Sequence, residues 1–381
     1  MAKKMKKIQI YLVPGFFGFS SLGTYSYFFR VGETLKQYLA KAHQLDVEII
    51  RCATQATSSI HRRAQKLAHE VDRNGGADAD ALHFIGHSTG GLDVRLLLSP
   101  GVKLFDDGLE NRIGEKTRTA ICVSTPHYGT PLAGFFTTLP GRQLLQFLTS
   151  LSNNSAGRRS IFWLSKILAL AARMDDWFGR DQTFLDHLVN RLLNHITLDA
   201  DDPIWEFLKT MKIDQGAIIQ LTPEALHLFN AAVTDRPGIA YSCVMNAVPT
   251  PNLNTLRTES VSPTAALSLL LFTFLHTIAR REHPSYPYPS LPGDIFQTLR
   301  TTLDMPISPS CNDGISPLVS QLYGKLIHAT RADHLDIVGQ FDGAGGELFT
   351  DWLVSGAQFG EPEFQTVWAR IGDEIATTTS G

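Results

Sequence analysis

Apolar residues dominate residues 8–13, 47–52, 81–85, 118–123 and 239–245. Runs this short, without helical spacing, predict strands buried on both faces. Between them the period changes. Residues 33–44 read as a helix, and residues 59–71 place Ile60, Ala64, Leu67, Ala68 and Val71 on one face of another. Buried strands alternating with amphipathic helices predict an α/β architecture, a mostly parallel sheet flanked by helices.

That rhythm stops after Pro131. Residues 141–220 carry mostly helical pattern, with runs at 144–151, 161–174, 184–196 and 204–211. Thr222-Pro223 then opens a helix, with the threonine as cap and the proline in the first turn. A second helical insertion covers 265–280 and is followed by a proline-rich loop at 283–292. Its segment 265–275 is the most hydrophobic of the chain. It is shorter than the roughly 20 residues a membrane span needs, and His276 and Arg280 end it. It reads equally as a buried core helix or as a lid over an apolar cleft. Residues 1–140, 221–260 and 308–381 are therefore expected to form the sheet core. Residues 141–220 and 261–307 are expected to form helical cap or lid insertions. No internal repeat is visible.

Composition narrows the class. Of 381 residues, 43% are hydrophobic and 19% charged, which fits a globular chain and excludes disorder. A formal net charge of -3 gives no electrostatic case for nucleic acid. The 13 histidines include no His-Glu-x-x-His pattern. The four cysteines, Cys52, Cys122, Cys243 and Cys311, read as buried free thiols, with a bridge between Cys243 and Cys311 left open. Lys3, Lys4, Lys6 and Lys7 before an apolar stretch imitate a secretory signal, but Pro14-Gly15 breaks the stretch and no small-residue cleavage site follows. The expectation is a cytoplasmic chain; the alternative is a secreted mature form whose signal was cut off before position 1.

The sharpest chemistry lies at Gly86-His87-Ser88-Thr89-Gly90-Gly91, between the strand run 81–85 and a helical run at 92–98. A serine at the apex of a strand–turn–helix is a nucleophile elbow. Glycines beside it let strand and helix approach closely. A serine hydroxyl needs a base to take its proton, a third group to orient that base, and donors for the oxyanion. Downstream, Asp313 in Asn312-Asp313-Gly314-Ile315 is the candidate acid, and His334 in Asp333-His334-Leu335-Asp336 the candidate base. His328 is a rival base, but its run Leu326-Ile327-His328 reads as structural. The oxyanion donors expected are the backbone N–H groups of Thr89 and of Phe16, the latter in Pro14-Gly15-Phe16-Phe17-Gly18.

Taken together, these segments resemble the bacterial true lipases, serine hydrolases of the α/β-hydrolase superfamily. The loop Val13-Pro14-Gly15-Phe16-Phe17-Gly18 resembles their Val-His-Gly-Phe-x-Gly oxyanion loop, with Pro14 in place of histidine. The elbow through Arg95, the turn Ser124-Thr125-Pro126-His127-Tyr128-Gly129-Thr130-Pro131, and Leu221-Thr222-Pro223-Glu224 with Phe229-Asn230 are also similar. So are the segments around Asp313 and His334. The resemblance implies an α/β-hydrolase fold and a Ser88, Asp313, His334 triad. It also implies a structural calcium near the base loop, with Asp336 and the carbonyl of Gln340 as ligands, since a hard cation takes oxygen donors; the alternative is that Asp336 only stiffens that loop. No cofactor is expected for the chemistry itself. The resemblance does not extend to residues 143–220 or 261–307.

The expected activity is serine carboxylic ester hydrolysis, as in a lipase or esterase, on acyl esters with apolar chains. The expected partner is a lipid or other apolar ester, with no nucleic acid, no transmembrane span, and interfacial lipid contact through the cap. The same elbow serves acyltransferases and thioesterases, and a non-catalytic lipid-binding module could keep the fold.

Overall fold

The computed structural model describes residues 7–16, 21–22, 25–54, 58–137, 216–251, 263–341 and 353–380. The helical runs expected at 144–151, 161–174, 184–196 and 204–211 lie outside the described residues. Among the described residues six strands build one sheet: β1 (Ile8–Val13), β4 (Glu48–Arg51), β5 (Ala81–His87), β6 (Thr117–Val123), β7 (Ala240–Ala247) and β8 (Lys325–Arg331). Their spatial order is β4-β1-β5-β6-β7-β8, and every pairing is parallel. β2 (Ser21–Leu22) and β3 (Tyr25–Ser26) form a separate antiparallel pair.

Side-chain alternation explains why both faces need cover. On β1, Ile8, Ile10 and Leu12 enter one core cluster while Tyr11 and Val13 enter another. Ile85 and Ile121 join the first, and Leu82, Phe84 and Ala120 the second. The first face is closed by α1 (Val31–His43) and α10 (Glu361–Ser380), which packs Phe364, Val367, Trp368, Ile371 and Ile375 inward. The second is closed by α2 (Ile60–Arg73), α3 (Thr89–Leu98) and α4 (Leu109–Lys116). Ser59 caps α2, its hydroxyl accepting from the Arg62 N–H. The predicted stripe of α2, from Ile60 to Val71, is buried throughout.

α5 (Pro131–Thr137) follows β6, and α6 (Gly216–Gln220) leads into α7 (Pro223–Ala232). Thr222 caps α7 by accepting from the Ala225 N–H, with Pro223 in the first turn as expected. The apolar insertion forms α8 (Pro263–Ala279), and Leu269, Phe272, Leu275 and Ile278 on it are buried. Phe272, Leu275 and Ile278 belong to the same cluster as Val31 and Leu35, so this face is part of the core. Among the described residues no helix is long and apolar enough to cross a membrane.

Among the described residues four α-helices were not expected from the sequence: α4, α5, α9 (Gly293–Leu303) and α10. Strand β5 runs to His87, because Gly86 and His87 still pair with Cys122 and Val123. All four cysteines are buried and free, so Cys243 and Cys311 are not bridged.

Candidate active site

The sheet carries its chemistry at the carboxyl ends of the strands. β5 ends at His87 and α3 begins at Thr89, leaving Ser88 alone in the turn. Its φ of 55 and ψ of -130 lie where non-glycine residues are strained by about 1–3 kcal/mol. The glycines make this turn sterically feasible. A Cβ on Gly86 would lie 2.5 Å from the Gly91 nitrogen, and one on Gly90 2.2 Å from the Val13 carbonyl oxygen. The Ser88 N–H donates to Val123 O at 2.9 Å, which anchors the turn to β6.

The loop after β1 lies directly over this serine. A Cβ built on Gly15 would come within 2.6 Å of Ser88 Cβ and 3.0 Å of its Oγ. The Gly15 N–H donates to Tyr27 Oη at 2.9 Å, and Tyr27 Oη is 2.7 Å from His87 Nδ1. From the other side, Arg63 donates to the Pro14 carbonyl at 2.8 Å, the Gly15 carbonyl at 3.2 Å and Thr89 Oγ1 at 3.2 Å. Asp93 holds that guanidinium at 2.7 Å, both side chains being fully buried. Burial pushes the Asp93 carboxyl up to about 6 while Arg63 pulls it down. Thr89 N–H sits in the first turn of α3, where amides have no carbonyl partner inside the helix.

Asp313 and His334 meet. His334 Nδ1 lies 2.8 Å from Asp313 Oδ2, and the His334 N–H donates to the Asp313 carbonyl at 3.0 Å. Asp313 Oδ1 accepts from the N–H groups of Ile315 at 2.9 Å and Ser316 at 2.6 Å. The acid is wholly buried and the base 5% exposed. The His334 ring centroid lies 4.7 Å from that of His87, the residue preceding Ser88. His87 is buried, and that burial holds its pKa well below the usual imidazole value. The rival His328 sits within β8, its pKa lowered mainly by burial.

The base loop is tied down by its own carboxylates. Asp336 Oδ2 accepts from the Asp333 N–H at 2.8 Å, and Asp333 Oδ1 accepts from Leu335 and Asp336 N–H at 2.9 and 3.0 Å. Gln340 N–H donates to Leu335 O at 3.2 Å. Asp336 thus braces the loop that presents His334. Among the described residues no group of three or more His, Cys, Asp or Glu side chains could hold an ion. No step below is routed through a metal.

Residues the sequence reading passed over complete the site. Tyr27, Arg63 and Asp93 clamp the loop over Ser88, and Gln321 and Asn246 hold the acid and base segments. Arg63 had left a sign. It is the one charged residue between Ile60 and Ala64 on the apolar face of α2, a place a cation occupies only with a buried partner. Nothing in the local pattern marked Gln321.

No family model matches the sequence, and no curated protein does. Solved structures do. Lipase 1 from Pelosinus fermentans superposes with a TM-score of 0.52 at 15% identity, over 98% of this chain and 99% of that one. EstA from Clostridium botulinum gives 0.50 at 18%, over 94% and 88%. At such identities the likeness is one of fold. It bears out the expected architecture: the chain has the α/β-hydrolase fold, similar to that of solved bacterial lipases and esterases.

Proposed function

We propose that the protein is a serine carboxylic ester hydrolase acting on esters with apolar acyl chains. The observation that carries this reading is the Asp313–His334 pair, bonded at 2.8 Å, with the His334 ring centroid 4.7 Å from that of His87, the residue before the strained Ser88. Asp313 accepts the Nδ1 proton, which leaves Nε2 of His334 as the basic nitrogen. In the proposed reaction Nε2 takes the Ser88 hydroxyl proton as Oγ attacks the ester carbonyl. The N–H groups of Phe16 and Thr89 receive the charge that develops on the carbonyl oxygen. Collapse of the tetrahedral intermediate expels the alcohol, protonated by His334, and leaves an acyl-Ser88 ester. Water, deprotonated by His334, then releases the acid.

The apolar substrate follows from the cap reading. Residues 141–220, and those of 261–307 outside the core-facing side of α8, are proposed to cover the cleft and to meet the lipid, because apolar walls favour acyl chains by burial. A panel of p-nitrophenyl esters from short to long acyl chains tests both parts. Activity is expected on longer chains and is expected to vanish in Ser88→Ala. A preference confined to the shortest chain would overturn the apolar-cleft reading. Turnover retained in Ser88→Ala would overturn the serine mechanism. Acyl transfer to an added alcohol in place of water would make the enzyme an acyltransferase with the same machinery.

A further inference from the structure

The acid and base stand on loops from different parts of the chain, after β7 and after β8. Something must hold one against the other. Gln321 occupies that junction. It is fully buried. Its Oε1 accepts from the Asn246 N–H at 2.8 Å. Its Nε2 faces three acceptors: the Asn246 carbonyl at 3.0 Å, the Ser316 carbonyl at 3.1 Å and Asp313 Oδ2 at 3.4 Å. The amide orientation follows from those partners, since the flipped group would set oxygen against carbonyls and a carboxylate.

Asn246 carries the link onward. Its Nδ2 donates to the carbonyls of Ala332 at 3.2 Å and Asp333 at 3.0 Å, the two residues before His334. Its Oδ1 accepts from Ser124 Oγ at 2.5 Å, at the end of β6. Ser124 itself takes a φ of 52, and its carbonyl accepts from Ser316 Oγ at 3.0 Å. The result is a closed polar circuit from the acid turn through Gln321 and Asn246 to the base loop. A glutamine with every polar atom engaged between two loops is costly to bury unless fully bonded.

We propose that Gln321 is a positioning residue for the reaction, setting the separation and orientation of Asp313 and His334 through its bonds to Asp313, Ser316 and Asn246. This inference rests on the proposed use of Asp313 and His334. Gln321 is wholly buried, so its loss is expected to act on turnover and to leave substrate binding alone.

The test compares Gln321→Met, which keeps length and removes the bonds, with Gln321→Glu, which keeps shape and removes the donors. Each is measured on a long-chain p-nitrophenyl ester, with rates normalised to the folded fraction. The expected result is a fall in kcat of ~10–100-fold with KM changed less than about twofold, the pattern of misplaced catalytic groups. Combined with Asp313→Asn, Gln321→Met is expected to add less than about threefold, because both act on one unit. Parental kcat in a folded variant, a loss confined to KM, or full additivity with Asp313→Asn would overturn the role. Failure of both variants to fold would make Gln321 a folding element and overturn it too. Ser88→Ala run alongside separates the cases. If it remains active, the serine mechanism on which this inference rests has failed; if it is dead while both Gln321 variants match the parent, only this inference has.

Discussion

Ser88, Asp313 and His334 carry the proposed chemistry, but Arg63 determines where the loop opposite them sits. Its guanidinium bonds the carbonyls of Pro14 and Gly15 and is paired with Asp93, both side chains being fully buried. Arg63→Ala leaves a buried carboxylate without its partner and is expected to lower unfolding free energy by about 3–5 kcal/mol. The double variant Arg63→Met, Asp93→Leu removes both charges and is expected to recover most of that loss in urea denaturation. Its kcat is expected to stay low, because the carbonyls of the loop remain unheld. A double variant with parental kcat would show that the pair serves stability alone. At this scale the sequence was readable where a residue type implies its own chemistry. A serine between glycines, a polar Asn-Asp-Gly turn and a loop histidine announce themselves. Tyr27, Gln321 and Asn246 do not, since their roles come from bonds that span 12, 75 and 86 residues of chain.

The strand–turn–helix unit β5–Ser88–α3 is the element on which the site depends. Gly90→Ala would push a methyl carbon against the Val13 backbone, where nothing flexible can yield. It is expected to destabilise the protein by more than the ~1 kcal/mol gain a glycine-to-alanine change gives in an open helix. Thermal unfolding measures the sign, and a stabilised Gly90→Ala would contradict the packing described. Thr222→Ala at the start of α7 is expected to lose about 1 kcal/mol through its cap. Elements with a clear period were legible: β1, β5, β6 and the stripe of α2. α10 was not expected, although Phe364, Trp368, Ile371 and Ile375 recur at helical spacing. α9 and α4 are short, and α9 buries only Leu299 and Leu303, too few positions to impose a period.

For the whole molecule, buried histidines predict how stability varies with pH. Burial lowers His83 and His276 to about 4 and holds His87 and His127 well below their ordinary value. Unfolded histidines titrate near ~6.5. Between those values the unfolded chain binds protons that the folded chain refuses, so this stability is full above about pH 6.5 and is lost on acidification. Asp93 and Asp333, raised by burial to about 6 and about 7, act in the opposite sense. With His328, also lowered by burial, five histidines outweigh two carboxyls, and Tm is expected to drop by on the order of 10 °C from pH 7 to pH 4.5. A Tm that is flat or rises over that range would contradict it. With Asp336 as a brace, EDTA is expected to leave Tm unchanged, and a marked fall would add a cation to the base loop. The whole-molecule architecture was legible because strands buried on both faces leave few alternatives. The function rests on one convergence, and one measurement reaches it directly: labelling with a fluorophosphonate, followed by mapping of the modified peptide. The account predicts a single phosphonylated site at Ser88, lost in Ser88→Ala and slowed by about a hundredfold or more in His334→Ala. Labelling at another residue, or undiminished labelling without His334, would contradict it.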